Sequence, residues 1–222
     1  METREMWTMM IRCLKKDVKP ATGCTEPIAL AYASAVAAKY LGEPIERIEA
    51  QVSANLMKNG MAVTVPGTGT PGLYIAASVG ALGGDPEGGL QVLKKISTDT
   101  VFQGKQMVAD GKVHITLADV PNVLYAEATV YGNGHSARVC IADEHTNIVS
   151  IEKDGASLYA APSDAASTIS EEEAFLHQIR MRDIYQFATE VPLEEIAFLE
   201  EAARMNEELS QVGMKEKYGH AI

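Results

Sequence analysis

The 222-residue chain is poor in cysteine, poor in positive charge and lacks any long apolar run, and each shortage narrows what it can be. Its three cysteines, Cys13, Cys24 and Cys140, are odd in number and show no CxxC spacing, which excludes a disulfide framework and a self-contained zinc site. Lys and Arg total 19 against 30 Asp and Glu, a formal charge of -11. With a pI near 4.9 such a chain repels phosphate backbones and anionic lipid, so neither nucleic acid nor a membrane is an expected partner. Lys39 and the "GGDPEGG" turn interrupt the two best apolar stretches before either reaches bilayer-spanning length. The opening "METREMWTMMIRCLKKD" alternates charge with apolar residues and has no continuous signal-peptide core, so a cytoplasmic location is expected. Internal repeats and low-complexity linkers are also missing.

What remains is a 46% hydrophobic chain able to fill a sizeable core. Met6, Met9, Met10, Cys13 and Leu14 fall at helical spacing over 3–17, and Pro20 ends the pattern. A second helix is expected from Thr25, with Thr25 as N-cap, Glu26 near the positive helix end and Pro27 presetting φ. Its body, "IALAYASAVAAKYLG", is apolar on nearly every side, which predicts cover from all directions. Residues 45–65 read as strand, "KNG" turn and strand, followed by a Gly-rich loop. Helices are expected over 72–82 and about 86–109, and an antiparallel β meander over 112–153. Ser170 and Glu173 form a capping box before a helix carrying Phe175, Leu176, Ile179, Ile184 and Phe187, and Pro192 opens a last amphipathic helix. The expected class is α+β: helical residues 1–43 with the Cys24 loop, a mixed α+β region over 44–165, and helical residues 166–222.

Several side chains are candidates for chemistry. "VPGTGTPG" contains a literal GxGxxG at Gly67, Gly69 and Gly72, but Pro66 and Pro71 remove amide donors that a pyrophosphate would need, and no strand ending in an acid follows at the usual distance. A turn is the favoured reading, with a small-ligand loop left open. His135 and His145 lie near strand ends without HxH or HxxxH metal spacing. Cys24 lies at the start of the second helix, where unpaired amides and the helix dipole favour an anion, so a stabilised thiolate is expected there; a small buried apolar residue is the equal alternative. Cys13 and Cys140 sit inside a helical and a strand pattern and read as core.

The blocks "KPATGCTEPIALAYASAVAAKYLG", "SANLMKNGMAVTVPGTGTPG", "YAEATVYGNGHSARVCIADEHTNIVSIEKDG" and "ARMNEELS" together resemble the L-cysteine desulfidase family, the UPF0597 group related to the alpha chain of iron-sulfur L-serine dehydratases. The resemblance runs from about residue 15 to the end. It implies a lyase converting L-cysteine to pyruvate, ammonia and hydrogen sulfide with a four-iron, four-sulfur cluster held by three cysteines, Cys24 being one ligand by motif position. The alternatives are L-serine dehydratase activity, or a non-catalytic module that binds a small amino acid or regulates. Lys58, Asn59, His145 and Asn147 fall inside the same blocks and are the candidates to position substrate or supply a base; Glu26 is either no more than a first-turn carboxylate or a residue that orients the Cys24 loop. Asn206, near an apolar stripe on the last helix, is expected to be satisfied by a backbone carbonyl.

The other two ligands and a glycine-serine segment of the family have no counterpart in these 222 residues. The chain is thus expected to be an N-terminal part, without a cluster and inactive alone, completed by a C-terminal half against which the apolar helix after Cys24 would pack. Its end at "KEKYGHAI" fits a domain boundary, and an oligomer is left open.

Overall fold

The computed structural model describes residues 2–21, 23–162 and 170–215. The chain divides into two compact units, one of residues 1–20 with 164–222 and one of residues 21–163. The class is α+β, as the sequence predicts.

The larger unit begins with α2 (Thr25–Leu41), which follows α1 (Thr3–Asp17) of the smaller unit, and continues through β1 (Arg47–Val52), α3 (Ala54–Gly60), β2 (Thr64–Val65), β3 (Thr70–Pro71), α4 (Leu73–Gly83) and α5 (Thr98–Ala109). Five strands follow: β4 (Val113–Leu117), β5 (Tyr125–Gly132), β6 (His135–Ala142), β7 (Ile148–Lys153) and β8 (Ala156–Ala160). The main sheet has the order β4-β1-β5-β6-β7-β8. From β5 to β7 it is the expected meander, and β8, beyond the expected 112–153, adds one more antiparallel strand. Its hairpins close at Asn133-Gly134 and Asp154-Gly155, where all four residues have positive φ, the conformation a two-residue type I′ turn demands.

Three expectations fail in this unit. The "KVHITL" strand is not part of the meander: β4 pairs parallel to β1, Ile48 opposite Val113, because α3, α4 and α5 carry the chain back along the sheet between them. "KNG" is not a hairpin turn but the last turn of α3, whose N-terminus is capped by Ser53 accepting from the Leu56 amide at 3.3 Å. The hairpin lies one step later, where β2 and β3 flank the Gly-rich loop. The helix expected over 86–109 starts only at Thr98, on a Ser97 cap, after a short 3-10 turn at Gly89–Gln91.

One face of the sheet is covered by α2 and α4. Small residues let the two helices touch: a Cβ on Gly80 would stand 2.3 Å from the Ala31 carbonyl oxygen. Leu30, Ala33 and Ala37 are fully buried against α4 and the sheet, and Ile28 and Ala31 in a second cluster with α4, Val65, Val92 and Leu93. The helix expected to await a missing half is therefore covered by its own chain; its all-round apolarity answers to α4 on one side and the sheet on another.

Turn chemistry ties the sheet corner. The Asp154 carboxylate accepts from the Ser136 amide at 2.8 Å and lies 2.9 Å from His135 Nδ1. The Ser136 amide first, and His135 second, hold this carboxyl below its usual range. A folded-state pKa below the unfolded one adds stability that is complete above the unfolded value and lost as pH falls through the folded one. Urea midpoints of the wild type and Asp154→Asn are expected to differ at neutral pH and converge in acid. A gap constant with pH would contradict this.

The smaller unit packs α1 with α6 (Glu171–Leu176) and α7 (Met181–Glu190), and ends in α8 (Phe198–Lys215). Its core gathers Met10, Cys13, Phe175, Phe187 and Val191, with Trp7 edge-on to Phe187 at 6.3 Å. The single helix expected from Phe175 to Phe187 breaks in two, since the Asp183 carboxylate accepts the Arg180 amide at 3.0 Å and caps a new start. A 3-10 turn, Leu193–Glu195, separates Pro192 from α8. Asn206 donates to the Ala202 carbonyl at 2.7 Å, the bland role expected of it.

Candidate functional site

Cys24 stands at the N-cap of α2, one position before the expected cap, and Thr25 is the first helical residue. Gly23 before it has φ +82°, and a Cβ there would meet Pro66 Cγ at 2.6 Å. The Gly-rich hairpin and the Cys24 loop therefore press on one another. That contact fixes where the sulfur sits, and the sequence offered only a glycine before the cysteine as its signal.

The thiol is half-buried and donates to Glu26 Oε2 at 2.9 Å. Glu26 Oε1 accepts from Asn59 Nδ2 at 3.1 Å, and Thr25 Oγ1 adds a 3.4 Å contact to Oε2. Two sequence candidates, Cys24 and Asn59, are thus brought together through Glu26, on the start of α2 and the end of α3. His145, half-buried in the turn after β6, lies within electrostatic reach of Glu26 and helps to hold it charged.

The expected thiolate is not what this arrangement favours. Burial pushes the Cys24 thiol up, and the hydrogen bond to Glu26 pushes the same way. The amides of Glu26 and Thr25 pull it down and are outweighed. The helix start instead serves the carboxylate: the Cys24 hydrogen bond first, then the residue's own amide and Asn59, keep Glu26 below the usual carboxylate range against the cost of burial. At fixed mildly alkaline pH, Glu26→Gln is expected to speed alkylation of Cys24 by iodoacetamide several-fold, read by peptide mass spectrometry with buried Cys13 and Cys140 as slow internal references. An unchanged rate would remove Glu26 from control of the sulfur.

The other candidates stand differently. Lys58 is exposed one residue before Asn59, and so projects about 100° around α3 from it. The Asn147 side chain donates to the Ala142 carbonyl at 3.0 Å and its amide to Glu144 at 3.2 Å, so it locks the turn that carries His145. Gly67 and Gly69 turn the β2–β3 hairpin, where the Thr68 hydroxyl donates to the Val65 carbonyl at 2.8 Å. This is a closed turn rather than a phosphate cradle.

Among the described residues no three His, Cys, Asp or Glu side chains converge to hold a metal. Cys13 is buried in the smaller unit. Cys140 is buried on β6, beside the Tyr125 hydroxyl and Glu127. A cubane cluster held by several thiolates does not fit this chain's donor set by itself, because one thiol is presented at the Cys24 site. Nor is any helix among the described residues long and apolar enough to cross a membrane.

Comparison with known proteins gives a consistent answer. The chain is 53% identical over 214 residues to a UPF0597 protein of Chromobacterium violaceum, 96% of this chain and 49% of that protein. It is 51% identical over 216 residues to one of Yersinia enterocolitica, 96% of this chain and 49% of the relative. For one of Shewanella pealeana the identity is 42% over 224 residues, 99% of this chain and 52% of the relative. No family model and no solved structure matches. The likeness covers the Cys24 loop, the sheet and nearly everything else, so the chain belongs to the UPF0597 family, as a stretch spanning about half the length of the curated relatives it matches.

Proposed function

We propose that the chain is one half of a carbon-sulfur lyase that converts L-cysteine and water to pyruvate, ammonia and hydrogen sulfide. The observation that carries this reading is the Cys24 site: a half-buried thiol at a helix start, oriented by a carboxylate that an amide holds from a second helix. A sulfur fixed on two elements and left partly accessible is built to be shared with something else. In this reading Cys24 supplies one ligand of a four-iron, four-sulfur cluster, and the remaining ligands come from the part of a full-length UPF0597 protein that lies outside this chain.

Bound there, such a cluster would offer an open iron as a Lewis acid for the negative charge that builds as the Cα proton leaves and the β-sulfur departs. This chain's own residues do the positioning. Glu26 fixes the direction of the Cys24 sulfur, Asn59 fixes Glu26, and the turn locked by Asn147 keeps His145 beside the carboxylate. His145 is an imidazole within electrostatic reach of that carboxylate. Its assignment as base belongs to the proposal.

The test is anaerobic reconstitution of the Chromobacterium violaceum relative, and of the same protein with its matching segment replaced by this chain, followed by product assay. Sulfide and pyruvate in equal amounts from L-cysteine support the proposal. Pyruvate from L-serine without sulfide from L-cysteine would move the activity to the dehydratase alternative. No turnover of either by the loaded relative would leave the binding-module alternative.

A further inference from the structure

The helix α8 leaves a row of apolar side chains open. Phe198, Ala202, Met205, Leu209 and Val212 follow one another at steps of four, three, four and three, the seam of a two-stranded coiled coil. None of the helix is buried: Met205 is 41%, Leu209 71% and Val212 47% exposed. Phe198 is half-buried, with Lys15 Nζ 5.6 Å from its ring centre, so the open seam starts at Ala202.

We propose that α8 pairs antiparallel with α8 of a second copy of this chain. Two independent features of the helix choose that occupant and that direction. The first is size: antiparallel pairing sets Ala202 against Val212 of the second copy and Met205 against Leu209 of the second copy, so that small meets large in each layer. A parallel pair would stack Ala202 on Ala202 and leave a gap. The second is charge. The positions flanking the seam on one side are Glu201, Glu208 and Lys215. Antiparallel pairing brings Lys215 beside Glu201 of the second copy at both ends. It also places the two Glu208 carboxylates near one another at the centre, where each is engaged by its own Arg204 at 2.5 Å. A parallel pair would set Glu201 and Glu208 opposite Asn206 and Gly213, so that neither gains an opposite charge beyond the Arg204 of its own helix. Glu200 and Glu207 lie away from the seam and do not oppose the pairing.

Four core layers make a small interface, so the dimer is weak and concentration-dependent. The test is sedimentation equilibrium of the full 222-residue chain across a concentration series. The expected result is a monomer-dimer equilibrium. Leu209→Glu weakens it by at least about tenfold, since an exposed leucine becomes a charge in the seam, while circular dichroism and the melting midpoint stay as in the wild type. Lys215→Glu weakens it, and adding Glu201→Lys restores it. In a mixture of Met205→Cys and Leu209→Cys chains the disulfide-linked dimer is the mixed one. A chain monomeric throughout the series, or Leu209→Glu dimerising like the wild type, overturns the proposal.

Discussion

Gly80→Val is expected to cost the larger unit at least ~2 kcal/mol of stability, and Gly80→Ala nearly as much. On helix propensity alone both should stabilise, because glycine inside a helix is worse than alanine by up to about 1 kcal/mol. The geometry reverses that sign. A Cβ at position 80 would stand 2.3 Å from the Ala31 oxygen and 2.7 Å from its Cα, and both are backbone atoms that no rotamer change can move. The α2–α4 crossing would have to widen, and the fully buried Ile28, Ala33 and Ala37 of α2 would lose close packing. Gly213 on α8 is the control: nothing lies within 4 Å of a Cβ built there, so Gly213→Ala is expected to be neutral or slightly stabilising. Denaturant midpoints of the three variants check this. Gly80→Ala as stable as the wild type would mean that the helix crossing is not set by that glycine.

In the Chromobacterium violaceum relative carrying this chain as its matching segment, the proposed activity predicts that Cys24→Ala lowers sulfide release from L-cysteine by about a hundredfold or more, with the melting midpoint of this chain unchanged. The stability half follows from the structure: the Cys24 side chain makes no capping hydrogen bond to α2, and its thiol donates to a carboxylate that Asn59 also holds. The activity half follows from the proposed ligand role. Glu26→Gln and Asn59→Ala act on the same sulfur through one and two hydrogen bonds respectively, and losses of about tenfold are typical for groups that orient a ligand. Asn147→Ala is expected to act by loosening the turn that carries His145. An unaltered rate for Cys24→Ala would remove the sulfur from the chemistry even if the family activity were real.

Local rules made much of this fold readable. The start of α1, that of α2 to within one residue, the Ser170 cap, the Asn-Gly hairpin and the β5–β7 meander depend on near neighbours, and these neighbours are written in order along the chain; the Asp-Gly hairpin into β8 obeys the same rule but lies outside the expected meander. What misled was chemistry with two meanings. Asn59-Gly60 is a hairpin signal, but Gly60 packs where a Cβ would meet Leu73 Cδ2 at 2.4 Å, so its glycine answers to a helix contact rather than to a turn. The strand at Val113 carries no mark of its partner, and its parallel pairing with β1 is a property of the intervening helices. At the site, the sequence pointed to Cys24 and Asn59 separately. That Glu26 joins them could not be seen, because a carboxylate in the first turn of a helix is also what the helix dipole alone would place there. The same carboxylate explains why helix-start reasoning about the thiol gave the wrong direction.

The central claim is that the Cys24 sulfur is one of a set of iron ligands completed outside this chain. Iron and acid-labile sulfide bound per polypeptide, measured after anaerobic reconstitution of the Chromobacterium violaceum relative carrying this chain as its matching segment, with and without Cys24→Ala, test it most directly. The account predicts a loaded wild type, a Cys24→Ala variant that is depleted or loses its iron on desalting, and no loading of this chain by itself. Full and stable loading of the Cys24→Ala variant would contradict it.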